Sequence, residues 1–206
     1  MAHTLDIKTA GLDLDKAEKA LIMLHGRGAA ATDILSLSQH LNVVDFALLA
    51  PQATNYTWYP QSFIAPVEQN EPWLSSALEI VNQTVQSAFD AGIATENIYF
   101  FGFSQGACLT LEFLARNAQR YGGATAVIGG VIGERIDGRN YQGDFQQTPI
   151  FIGTSNPDSH VPVERVYASE NILKEMNADV TVKVYDNFGH SINQDEIEWA
   201  NKIVFK

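Results

Sequence analysis

Along this chain, short apolar runs alternate with segments whose apolar residues return at helical spacing. Ala20-Leu21-Ile22-Met23-Leu24, the stretch 46–50, Ile98-Tyr99-Phe100-Phe101, 125–132 and 149–154 are rich in β-branched, aromatic or aliphatic side chains. Such runs suit strands covered on both faces. Residues 180–185 alternate apolar and polar as a last strand, and 3–9 alternate weakly as an edge strand ended by Ala10-Gly11. Between them, helices are expected over 32–41 and from Trp73, where Ala77, Ile80, Val81, Thr84, Val85, Ala88 and Phe89 form one stripe closed by Gly92. Further helices are expected after Gly106, from Val163 to near Asn177, and after Asn193, whose side chain and that of Glu196 have capping-box spacing. Strands alternating with helices predict an α/β domain: a largely parallel central sheet with helices on both faces. The 206 residues fit one such domain over 1–206, with no stretch left for a separate cap.

The pattern lapses twice. From 51 to 72 neither period holds, and prolines stand at 60, 66 and 72. Long connections in compact domains are functional or disordered, and this one is too aromatic for disorder. It is expected to be ordered over the active face, with Trp58, Tyr59 and Phe63 as a substrate wall or as plugs at the edge of the core. The second lapse, 133–147, is a further candidate border of the pocket.

The chemistry is announced by Gly102-Phe103-Ser104-Gln105-Gly106, set between a strand and a helix. That context makes G-x-S-x-G a nucleophile elbow, a turn so tight that side chains two residues either side of the serine would collide with their neighbours. Because the helix begins at once, the N–H of Gln105 and the positive helix end face the place where a substrate oxygen gains charge.

A serine hydroxyl needs a base, and the base an orienting acid, both from loops at the carboxyl ends of strands, where the elbow sits. His3 and His40 fall outside such loops. His25 follows a strand but precedes the serine, against the chain order serine, acid, histidine. His190, in Asn187-Phe188-Gly189-His190-Ser191, lies between the last strand and the last helix and is the candidate base; His160 reads as a pocket-side residue. Asp179 lies at the wrong end of its strand, and Asp137 and Asp144 in the irregular stretch. Asp158 directly follows a strand and is the candidate acid, with Asp186 as the alternative. The loop after the second strand, His25-Gly26-Arg27-Gly28, offers the N–H of Arg27 as a second oxyanion donor, with His25 beside the pocket.

Composition narrows the partners. With 24 acidic against 13 basic residues and a net charge of -11, the surface repels phosphate backbones and anionic lipid, so neither nucleic acid nor stable membrane association is expected. The opening residues carry no basic segment followed by an apolar one, and no later run approaches a membrane span, so the expected location is the cytoplasm. The lone cysteine, Cys108, fits a reducing compartment and reads as packing. No metal or cofactor is called for, and a homodimer is compatible with the sequence.

Taken together, Leu24-His25-Gly26-Arg27-Gly28, Trp58-Tyr59-Pro60, Gly102-Phe103-Ser104-Gln105-Gly106-Ala107, Asp158 with Val161-Pro162, and Gly189-His190 resemble the phospholipase/carboxylesterase family of small α/β-hydrolases, which includes acyl-protein thioesterases. The resemblance implies an α/β-hydrolase fold, a Ser104-His190-Asp158 triad and an oxyanion hole at Arg27 and Gln105. It further implies hydrolysis of carboxylic esters, with thioesterase or lysophospholipase activity as the alternative. Arg27 stands where the thioesterases usually carry an apolar residue, which turns the expectation towards small or medium acyl or aryl esters rather than long chains. Gly26-Arg27-Gly28-Ala29-Ala30-Ala31 also matches the looser dinucleotide fingerprint, with Asp45 at ribose distance, but a nicotinamide-dependent oxidoreductase would leave the elbow unexplained.

Overall fold

The computed structural model describes residues 2–206. Its strands are β1 (Ile7–Gly11), β2 (Lys19–Leu24), β3 (Phe46–Pro51), β4 (Ile98–Phe103), β5 (Gly123–Val127), β6 (Pro149–Asn156) and β7 (Asp179–Asp186). They form one sheet in the order β1-β3-β2-β4-β5-β6-β7, with β1 antiparallel to β3 and every other pair parallel. Ala20 to Leu24 and most of β3, β4 and β5 are buried, as strands covered on both sides must be.

The helices are α1 (Ala31–Ser36), α2 (Trp73–Asp90), α3 (Gln105–Arg116), α4 (Val163–Glu175) and α5 (Gln194–Ile203). Parallel crossovers are right-handed, so the step from β2 back to β3 carries α1 on one face. The steps β3 to β4, β4 to β5 and β6 to β7 carry α2, α3 and α4 on the other. The Asn201 side chain bonds the His40 carbonyl and the Asn42 N–H just beyond α1, which holds α5 on α1's face. The strand order therefore reverses between β2 and β4, and a crevice opens outside their carboxyl ends. Among the described residues, no helix is long and apolar enough to cross a membrane.

Several boundaries differ from those the pattern predicts. The edge strand starts only at Ile7, and the expected helix over 32–41 is α1 followed by a 3₁₀ turn over Leu37–His40. The run 125–132 is not one strand. β5 ends at Val127 because Ile128 turns to φ 57 and donates its N–H to the Gly153 carbonyl at 2.7 Å. The next residue, Gly129, then passes so near α3 that a Cβ there would lie 2.6 Å from that of Ala107. Phe89 leaves the apolar stripe and is 55% exposed, since it stands about 100° around the helix from Ala88, which points inward. The segment 133–147 is bonded to the aromatic loop at its start, where the Gly133 N–H meets the Phe63 carbonyl at 2.7 Å. From there Tyr141 bonds the buried Glu112, Phe145 is buried, and the chain runs to the amino end of β6; none of it lines the pocket. Asp45 precedes β3, whose Phe46 pairs with Lys19, so it lies at the opposite end of the sheet from the glycine loop after β2 and cannot serve a dinucleotide there.

Candidate active site

Because Leu24 pairs with Gly102, the ends of β2 and β4 stand side by side at the crevice. Ser104 turns the chain there with φ 54 and ψ -118, a strained backbone for a residue with a side chain. It is held on both sides: its N–H donates to the Val127 carbonyl at 2.9 Å, and its carbonyl accepts the Cys108 N–H at 3.0 Å. The two glycines are needed because α3 leaves so close to the strands. A Cβ on Gly102 would sit 2.5 Å from the Gly106 carbonyl oxygen, and one on Gly106 would overlap that of Leu24.

The base and acid candidates arrive from neighbouring strands. Asn156 pairs with Asp186, so the loops after β6 and β7 leave the sheet together. Ser155, a buried residue with no sequence signal, fastens them: its hydroxyl accepts the N–H groups of Phe188 at 3.1 Å and Gly189 at 3.0 Å. His190 is thereby presented with Nε2 at 2.7 Å from Ser104 Oγ and Nδ1 at 2.8 Å from Asp158 Oδ2. Asp158 Oδ1 accepts the N–H groups of His160 at 2.8 Å and Val161 at 2.9 Å. The Asp158 side chain has no exposed surface. Burial alone would raise its pKa, but the bonds from His160, His190 and Val161 outweigh it and hold the carboxyl below its ordinary value. Asp186, the alternative acid, is exposed at the end of β7. The His160 ring stands edge-on to His190 with centroids 4.9 Å apart.

Among the described residues, the backbone N–H groups of Arg27 and Gln105 have no acceptor, which for Gln105 follows from its place in the first turn of α3. The Gln105 side chain does other work: Oε1 accepts the Trp58 N–H at 2.9 Å, and Nε2 donates to the Tyr59 carbonyl at 2.8 Å, which ties the aromatic loop to the elbow helix. The Arg27 guanidinium donates to the carbonyls of Pro60 at 3.0 Å and Gln61 at 2.8 Å. Buried Asn70 holds the same stretch, accepting the Gln61 N–H and donating to the Ser62 carbonyl.

A cleft of ≈ 460 Å³ opens beside Ser104. Of the residues expected around it, Tyr59, Phe63 and His160 do line it, together with Arg27, Gln105 and Cys108. His25 and Trp58 do not; both are fully buried behind it. The indole Nε1–H of Trp58 donates to the His25 carbonyl at 2.9 Å, and the two rings pack at 5.0 Å. The Cys108 thiol is pushed up to about 12 by burial, and so remains a protonated packing group.

His25 and His3 instead anchor the aromatic loop from below. His25 Nδ1–H donates to the Gly26 carbonyl at 2.8 Å while Nε2 accepts the Ala53 N–H at 3.1 Å. His3 Nε2–H donates to the Trp58 carbonyl at 2.8 Å while Nδ1 accepts the Thr54 N–H at 3.2 Å. Each ring must be neutral to accept, and burial, only partly offset by the carbonyl bond, pulls both below the ordinary 6.5. A histidine depressed in the fold contributes stability that is full above its unfolded pKa and is lost as pH falls towards the folded value. Glu196 works the other way: burial raises it to about 7, so its protonated form favours the fold across the same range. A ring-carbon NMR titration separates these opposing effects. His3 and His25 are expected to titrate below 6.5, and a midpoint at or above that value for either would contradict the clamp.

The sequence profile of the phospholipase/carboxylesterase family matches residues 12–205. A protein of Saccharomyces cerevisiae named acyl-protein thioesterase 1 is 28% identical over 214 residues, covering 90% of this chain and 91% of that protein. A probable carboxylesterase of Arabidopsis thaliana, SOBER1-like, is 28% identical over 131 residues, covering 64% of this chain; the match spans half the length of that relative, 50%. Among solved structures, a phospholipase/carboxylesterase from Dyadobacter fermentans is 52% identical, with a TM-score of 0.99 over 100% of this chain and 99% of that one. Sheet order, elbow and these likenesses agree on the α/β-hydrolase fold, and the chain belongs to the phospholipase/carboxylesterase family of carboxylic ester hydrolases.

Proposed function

We propose that this protein is a serine hydrolase that cleaves carboxylic esters with small or medium acyl or aryl groups by way of an acyl-enzyme. The observation that carries the reading is the unbroken hydrogen-bonded series from Ser104 Oγ through His190 to Asp158, at 2.7 Å and 2.8 Å. In this reading His190 Nε2 takes the hydroxyl proton as Ser104 Oγ bonds to the ester carbonyl carbon, and Asp158 stabilises the imidazolium that forms. The carbonyl oxygen becomes an oxyanion facing the free N–H groups of Arg27 and Gln105. As the intermediate collapses, the C–O bond to the alcohol breaks and His190 returns the proton to the leaving oxygen. Water, deprotonated by the same imidazole, then attacks the acyl carbon, and Ser104 leaves with the proton restored. Ester and water give acid and alcohol, and every proton moved passes through His190.

In this reading a small acyl or aryl group occupies the cleft that Tyr59 and Phe63 help to line. With a short-chain 4-nitrophenyl ester, the protein is expected to release a burst of about one nitrophenol per chain before the steady state, as accumulating acyl-enzyme does. Release no faster than in buffer would defeat the proposal. The S. cerevisiae relative's name favours a second substrate class, acyl thioesters, which the same groups would cleave with a thiol leaving. Matched oxygen and thiol esters of one acyl group, compared by kcat/KM, decide between the two.

A further inference from the structure

Among the described residues, Arg27 is the one with a permanent charge that lines the cleft, and no aspartate or glutamate lines it, in a chain with 24 acidic and 13 basic residues. Its guanidinium is fixed but not neutralised. The partners it holds, the carbonyls of Pro60 and Gln61, are uncharged, and among the described residues no carboxylate lies within ion-pair reach of it. A guanidinium carries five N–H donors in a planar fork, and the clasp occupies two of them. The segment it grips is itself held by Asn70, so the fork is set in place before any ligand arrives. A fixed cation with unspent donors in a cleft without acids is a receptor for an anion of fork-matching shape, and the carboxylate is the commonest such group. The same residue supplies the proposed oxyanion N–H, which puts this charge within one side chain's length of the reacting carbonyl.

We propose that Arg27 recognises a free carboxylate on the substrate, so that the preferred substrates are half-esters of short dicarboxylic acids or other small esters bearing a carboxylate. The inference rests on the serine-hydrolase reading and names the substrate class of that site. The acidic exterior does not oppose it: the charge of -11 is spread over the surface, whereas binding is decided inside a cleft whose lining is neutral or cationic.

The test compares wild type with Arg27→Gln on two ester pairs. In one pair the carboxylate is on the acyl side, mono-4-nitrophenyl glutarate against 4-nitrophenyl valerate. In the other it is on the leaving group, 3-carboxy-4-nitrophenyl valerate against 4-nitrophenyl valerate. The anionic-to-neutral ratio of kcat/KM removes any loss common to both esters, including disturbance of the residue 27 backbone. That ratio is expected to fall about tenfold or more in Arg27→Gln on at least one pair, and the pair affected shows on which side the anion sits. An unchanged ratio on both pairs would overturn the proposal. Binding is read separately, by the melting-temperature rise that glutarate gives the Ser104→Ala protein with and without Arg27→Gln. A rise that depends on Arg27, in a protein whose wild type turns over no ester, would leave the anion site standing and fell the hydrolase reading. Ester turnover with an Arg27-independent ratio would do the reverse.

Discussion

Ser104→Ala is expected to lower kcat on a 4-nitrophenyl ester by about 10⁴-fold or more, with the melting temperature nearly unchanged. The change removes Oγ alone. The strained backbone at φ 54 already accommodates a Cβ in the native chain, and the bonds to Val127 and from Cys108 are made by the main chain. What survives is the proposed oxyanion pair of N–H groups at Arg27 and Gln105 together with substrate binding, and such remnants alone still exceed water by roughly 10³-fold to 10⁴-fold in serine hydrolases. The residual rate should therefore be small but measurable, and without a burst. A variant that keeps a tenth of wild-type turnover would show that another group attacks the ester.

Asp158→Asn should be nearly as costly, about 10⁴-fold in kcat at neutral pH, for a reason its bonds make explicit. Oδ1 accepts two backbone N–H groups, from His160 and Val161, and Oδ2 accepts from His190 Nδ1. An asparagine has one oxygen, and the two fixed donors of the main chain claim it. Its amide N–H₂ then faces His190 Nδ1 and requires that nitrogen to accept, which moves the ring proton to Nε2. In that tautomer His190 donates to Ser104 Oγ and cannot take its proton. The fold should survive, because the shape is unchanged and the loop bonds remain. Activity within tenfold of wild type would contradict the account and turn attention to Asp186, the carboxylate at the end of β7.

The sheet and the elbow were legible in the sequence because each rests on local rules: runs covered on two faces, helical stripes, and a turn that demands small neighbours. The capping of α5 by Asn193 and Glu196 was legible for the same reason. Misreadings arose where a distant segment decides the outcome. The run 125–132 is apolar throughout, yet it breaks at Ile128 because α3 passes against Gly129, a contact no periodicity encodes. His25 and Trp58 stand in motifs that lead to the cleft, but the returning aromatic loop stacks one on the other and turns both inward. His3 lies outside the loops that could supply a base, as the pattern predicts, and its role as an anchor comes from partners that only the folded loop supplies, Thr54 and Trp58. Ser155 and Asn70 carry no sequence signal at all: a serine one residue before the end of a strand and an asparagine before a proline-bearing turn become positioning residues solely through what is folded against them.

Everything above about mechanism depends on one oxygen being made nucleophilic by His190. The most direct measurement is the intact mass of the protein after treatment with a fluorophosphonate, followed by location of the adduct on a digest peptide. The account predicts one adduct per chain on the peptide bearing Ser104, none in Ser104→Ala, and much slower labelling in Asp158→Asn. An adduct on a different residue, or a chain that stays unmodified while still hydrolysing ester, would contradict it.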